Sequence, residues 1–138
     1  MDKMTLIVKA EASNESFART VIAAFAAREN PTVNIISDIK TAISEAVTNA
    51  VIHAYNGNNC GEICIKASIE DRILKVEVTD YGKGIVDIIE AMSDFYTTLP
   101  GEERSGLGFT IMGSFMDSLD VKSVLGEGTT VSMTKRLT

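Results

Sequence analysis

The chain has 138 residues, 45% of them apolar and 23% charged, with a formal net charge of −6. That length predicts a single domain with room for a hydrophobic core, and no run approaches the roughly 18–20 apolar residues that a membrane span needs. The acidic balance argues against general nucleic-acid binding, which needs a basic face, and suits a partner with a basic surface.

In chain order, TLIVKA (Thr5 to Ala10) reads as a strand. It is too short for the apolar region of a signal peptide and is soon followed by Glu11. NESFARTVIAAFAARE, from about Asn14 to Glu29, places Phe17, Val21, Ala24, Phe25 and Arg28 near helical spacing, with Ser13 or Asn14 as N-cap. Pro31 interrupts. A second helix follows from about Val33 to Tyr55, with Ile35, Ile36, Ile39, Ile43, Ala46, Val47 and Ala50 inward, and NGNN (Asn56 to Asn59) is turn chemistry that ends it. Cys60 and Cys64 have no matching His or Cys cluster elsewhere and read as free thiols of a reducing cytoplasm. Ile63, Ile65, Ala67 and Ile69 share one face of a strand, and Leu74, Val76 and Val78 one face of the next. The tight Glu70-Asp71-Arg72 turn between them makes an antiparallel hairpin. After Asp80 the chain is irregular to about Ser105. GLGFTIMGSFMDSL predicts a third helix from about Gly106 to Leu119, and DVKSVL, the turn GEG and TTVSMTKRL predict a closing hairpin. These elements make an α+β two-layer sandwich, helices over a mixed β-sheet, in one domain over 1–138.

Three stretches carry chemistry. In SEAVTNAVIHAY, Glu45, Asn49 and His53 recur every four residues, so a carboxylate, an amide and an imidazole climb one edge of a core-facing helix. In TDYGKGI, Asp80 ends a strand and Gly82 and Gly84 follow. Glycines there permit positive φ and close approach to a flat ligand, and the carboxylate can accept a hydrogen bond from an exocyclic amine. Taken alone, such a turn is common. In ERSGLGFTIM, the N–H groups of Gly106, Leu107 and Gly108 open a helix, where the dipole favours an anion, with Arg104 just before them. That loop lacks the P-loop and Rossmann spacings, which leaves phosphate site and plain helix start both open.

The order of these pieces, E-x-x-x-N on a helix, D-x-G-x-G after a strand, G-x-G opening a helix and G-x-G-T before a strand, closely resembles the N, G1, G2 and G3 boxes of the GHKL ATPases. The boxes run from Glu45 to Thr130. The resemblance implies the GHKL (Bergerat) fold with ATP and Mg²⁺. It makes Asn49 the Mg²⁺ ligand, an amide oxygen being a hard donor, and Glu45 the general base or orienting group for a hydroxyl attacking the γ-phosphate. His53 has drifted around the helix and reads as a hydrogen-bonded structural imidazole. By the same resemblance Asp80 binds the adenine amine, supported by Thr129, while Gly82 and Gly84 shape the base pocket with Ile85 against the ring. Residues 86–105 form a lid. Ser105, Gly106, Leu107, Gly108 and Phe109 hold phosphates, and Arg104 stabilises charge on the γ-phosphoryl.

No phosphoacceptor helix pair precedes this domain and no transducer follows it, so it reads as a stand-alone unit. NESFAR, SEAVTNAVIHAYN, FYTT and GEGTTV further resemble the bacterial anti-sigma serine kinases of sporulation, with stress-response relatives close by. That resemblance implies a homodimer that holds off a sporulation sigma factor. It also implies phosphorylation of a serine on a STAS-domain anti-anti-sigma partner, with no direct nucleic-acid or membrane contact. Arg19, with Glu15 one turn before it, matches the first-helix partner contact; an ordinary i, i+4 surface pair is the other reading. Two functions compete: a nucleotide-gated binding module that transfers nothing, against which Glu45 speaks, and the detached ATPase domain of a larger machine.

Overall fold

A computed structural model describes residues 1–54, 61–85 and 108–138. The elements are β1 (Asp2–Lys9), α1 (Ser13–Ala27), α2 (Val33–Asn49) running into a π-helical turn (Ala50–Ala54), β2 (Glu62–Glu70), β3 (Ile73–Asp80), α3 (Gly108–Phe115), β4 (Ser118–Val124) and β5 (Gly128–Arg136). The strands form one sheet in the order β1-β2-β3-β5-β4. The helical layer over this sheet is the α+β sandwich that the sequence predicts. The sheet itself is antiparallel between all its described neighbours, not mixed. β3 and β4 do run the same way, but β5 folds back from β4 into the gap between them, so no parallel pair is in contact.

Period-two patterning places the core correctly. Ile63, Ile65, Ala67 and Ile69 of β2 and Leu74, Val76 and Val78 of β3 are all buried, in one cluster with Ile22 of α1, Ile39, Ile43 and Val47 of α2 and Met112 of α3. Each fully buried aliphatic side chain is worth about 1.5–3 kcal/mol relative to an exposed one, which is what holds the helical layer down. The β2–β3 turn puts Asp71 and Arg72 at φ 52° and 60°, the left-handed pair that matches strand twist. Neither is glycine. Tertiary bonds compensate: Arg72 donates to the carbonyls of Glu29 (2.9 Å) and Leu137 (3.3 Å), and its own carbonyl accepts from the Leu137 N–H.

Other expectations shift. β1 starts at Asp2 and pairs with β2 along its whole length. α1 begins after Ala12, which gives no side-chain cap. Asn14, expected at the cap, instead donates to the Lys9 carbonyl at 2.8 Å and ties the helix to the end of β1. The buried stripe of α1 is Ala18, Ile22, Phe25 and Ala26, while Phe17 is 52% exposed and Ala24 and Arg28 also face outward. α1 packs chiefly on α2, and small side chains at 18 and 26 permit that close approach where Phe17 would not. α2 is capped by Thr32, whose hydroxyl accepts from the Ile35 N–H. Its inward residues hold from Ile39 onward, with Ile35 and Ile36 only partly covered. The predicted continuation to Tyr55 changes hydrogen-bonding period at Ala50; Tyr55 and NGNN lie outside the described residues. α3 stops at Phe115, not Leu119, because Lys135 takes up the Phe115 carbonyl and the Asp117 N–H donates to Thr134, leading the chain into β4.

Candidate nucleotide site

Strand register assembles the first part of the site. Ile63, Asp80, Thr129 and Ser123 stand opposite one another on four adjacent strands, on the helix-facing side at one end of the sheet. Asp80 and Thr129 are each only 7% exposed. Both backbone donors that reach Asp80 converge on Oδ1: the Gly82 N–H at 3.1 Å and the Thr129 N–H at 3.3 Å. Burial pushes the Asp80 carboxyl above its ordinary value, and those two N–H bonds pull it part of the way back. A carboxylate desolvated this far is costly in isolation and is suited to a ligand that brings hydrogen-bond donors.

Glycines set the closeness of this corner. Gly84 sits at φ +78°, and a Cβ there would lie 2.5 Å from the Val124 carbonyl. At Gly128, φ +132°, a Cβ would lie 2.1 Å from the Asp80 carbonyl. The loop after β3 and the β4–β5 turn therefore approach each other across hydrogen-sized gaps. Further bonds lock them: Gly126 N–H to the Lys83 carbonyl at 2.8 Å and Ile85 N–H to the Ser123 hydroxyl at 2.7 Å. Ile85 is partly buried against the core.

The second part lies across the helical layer. Asn49 is the last residue of α2, and a Cβ on Gly108, the first residue of α3, would fall 2.9 Å from both of its amide heteroatoms. Only glycine leaves that amide its present position. The π-helical turn that follows Asn49 contacts β3, the strand that ends in Asp80. Such turns are rare and concentrate at functional sites. Glu45 is half-buried one turn before Asn49. Phe109 is buried in the core, so its side chain is not available to a ligand. Among the described residues no three His, Cys, Asp or Glu side chains form a metal cage; an ion held by one amide oxygen plus phosphate oxygens needs none.

Arg19 donates to Glu15 at 2.8 Å, the expected i, i+4 pair, and to Ser44 at 3.4 Å, next to Glu45 on α2. Arg104, Ser105, Gly106, Leu107, the segment 86–105, Cys60 and the His53 side chain lie outside the described residues. Cys64 is a buried free thiol. Sequence reasoning missed Ser123, whose signal was available only through the register of β4 against β5. It also missed the π-helical turn, which has no composition cue.

The fold and this corner define a histidine kinase-like ATPase domain: the family of that description matches residues 8–135, and the chain belongs to it. Within it, the chain groups with the anti-sigma F factors. It is 55% identical over 132 residues to the anti-sigma F factor of Caldanaerobacter subterraneus subsp. tengcongensis, covering 96% of this chain and 92% of that protein. It is 51% identical over 135 residues to that of Clostridium acetobutylicum, covering 98% and 94%. Among solved structures, the RsbU and RsbW domains of Rv1364c from Mycobacterium tuberculosis superpose with a TM-score of 0.71 at 22% identity, over 99% of this chain and 32% of that one. The mycobacterial sensor histidine kinase MprB does so with a TM-score of 0.57 at 21% identity, over 72% of this chain and 70% of that one. Both share the fold.

Proposed function

We propose that this chain is an ATP-dependent anti-sigma factor and protein serine kinase. It binds and inhibits a sporulation sigma factor, and it phosphorylates and so inactivates a STAS-domain anti-anti-sigma partner. On this reading it works as one domain over 1–138, as a homodimer, in the cytoplasm where RNA polymerase and ATP are found. Among the described residues no helix is long and apolar enough to cross a membrane. The sigma half of the reading is supported by the anti-sigma F factor relatives, at 55% and 51% identity over nearly the full chain.

The observation that carries the nucleotide half is the buried Asp80 carboxylate with both backbone donors on Oδ1. On this reading Oδ2 takes the amine of the base, which the placing of both backbone donors on Oδ1 supports. Gly82 and Gly84 let the ring approach, Ile85 lies against it, and Thr129 adds a hydroxyl. Asn49 would hold Mg²⁺ through its amide oxygen, a hard donor, and the ion would supply neutralisation of charge on the phosphates. Ser105 and the amides of Gly106, Leu107, Gly108 and Phe109 hold the phosphates, and Arg104 stabilises charge developing on the γ-phosphoryl. Glu45 orients the seryl hydroxyl and takes its proton as the seryl oxygen bonds to the γ-phosphorus and the β–γ bridging bond breaks. Glu15 and Arg19 form part of the partner surface.

A transcription assay tests the reading. RNA polymerase carrying a sporulation sigma factor should be silenced by the protein with ATP, and Asp80→Asn should lose that effect. Silencing by wild type and variant alike, without nucleotide, would remove the ATP-dependent part.

A further inference from the structure

Ser123 lies on β4, directly opposite Thr129 in the β4–β5 pair. Its hydroxyl sits in three contacts at once. It accepts from the Ile85 N–H at 2.7 Å, donates to the Gly128 carbonyl at 3.1 Å, and lies 2.8 Å from the Thr129 hydroxyl. A serine has one proton. The Gly128 carbonyl can only accept, so a Ser123 proton spent there cannot also go to Thr129. Thr129 must then be the donor in the hydroxyl pair, and its remaining lone pairs turn away from Ser123.

We infer that Ser123 is a specificity-determining, positioning residue: by taking the Thr129 proton it makes the base-facing edge formed by Asp80 and Thr129 all-acceptor, which selects a 6-amino purine over a 6-keto purine. The inference rests on the nucleotide reading above. An exocyclic amine brings two N–H donors to an edge of two acceptors. A keto oxygen brings a third acceptor in place of those donors and faces the Thr129 lone pairs, so the one donor that ring offers nearby is its N1–H; losing the bonds of the amine in this way produces rejection. Ser123 acts from behind, through Thr129 and through the Ile85 N–H it also holds.

The test is equilibrium binding of ATP and inosine triphosphate, which differ at position 6 and in the N1–H that accompanies the keto form, to wild type, Ser123→Ala and Ser123→Thr. In Ser123→Ala the Thr129 hydroxyl is free to point its proton outward at a keto oxygen. The ATP-to-ITP affinity ratio should therefore fall by about tenfold, one hydrogen bond's worth, and Ser123→Thr should restore it. A general loosening of the site weakens both nucleotides together and leaves the ratio unchanged. An unaltered ratio in Ser123→Ala, with wild type still preferring ATP, would overturn the role given to Ser123 and leave the nucleotide reading standing. Wild type that binds neither nucleotide would sink the reading and this inference with it.

Discussion

Asp80 carries the sharpest residue-level consequences. Asn at this position keeps an Oδ1 able to accept from both Gly82 and Thr129, removes a buried charge and, on the proposed function, turns an N–H₂ group toward the base amine. Asp80→Asn should therefore melt no lower than wild type while ATP affinity drops by at least about tenfold. The pH dependence follows from sign. Native Asp80 holds its proton more tightly than the unfolded chain does. The folded state thus binds more protons between the ordinary carboxylate value and the higher native one, and stability falls as pH rises through that window. The stability of wild type relative to Asp80→Asn should decline across it in denaturant titrations; a rise would contradict the burial argument. Glycines at the site separate in the same way. An Ala at 108 meets only the movable tip of Asn49, so Gly108→Ala should stay within about 1 kcal/mol of wild-type stability yet weaken Mg²⁺-dependent ATP binding. Gly128→Ala meets fixed backbone at positive φ and should cost at least about 2 kcal/mol, read by the same titrations.

At the scale of elements, the strands were legible because alternation in β2 and β3 is strict, and a strand buried on one face shows its face in its spelling. α1 was not. Phe17, Val21 and Ala24 lie at helical spacing as convincingly as Ala18, Ile22 and Ala26, and composition favours the larger residues. Packing on α2 decides for the smaller ones, and that contact is tertiary information. Phe17→Ser should therefore change stability by about 0.5 kcal/mol or less, whereas Ile22→Ala should cost about 2–5 kcal/mol. The reverse order would restore the stripe that the sequence suggests. The helix ends were misread for a related reason. Asn14 and Lys135 spend their side chains on β1 and on the end of α3, across 5 and 20 residues, so local cap rules miss them. The π-helical turn is a hydrogen-bond choice made where the chain leaving α2 meets β3, and nothing in AVIHA announces it.

For the whole molecule, the boxes spaced along the chain become one corner through topology. β5 enters beside β3, so Thr129 meets Asp80, and α3 begins against the end of α2, so Gly108 meets Asn49. Their order along the sequence made the family legible. What it withheld is Ser123, which belongs to no box and joins the site only by register. On the proposed function this corner transfers phosphate to a partner, with Glu45 one turn before the Asn49 amide. The direct measurement incubates the protein with γ-labelled ATP, Mg²⁺ and a STAS-domain anti-anti-sigma protein, wild type beside Glu45→Gln. Label on a partner serine that is lost in Glu45→Gln, while ATP still binds, is the predicted result. An unlabelled partner in the presence of tight ATP binding would contradict the kinase and leave a nucleotide-gated binding protein.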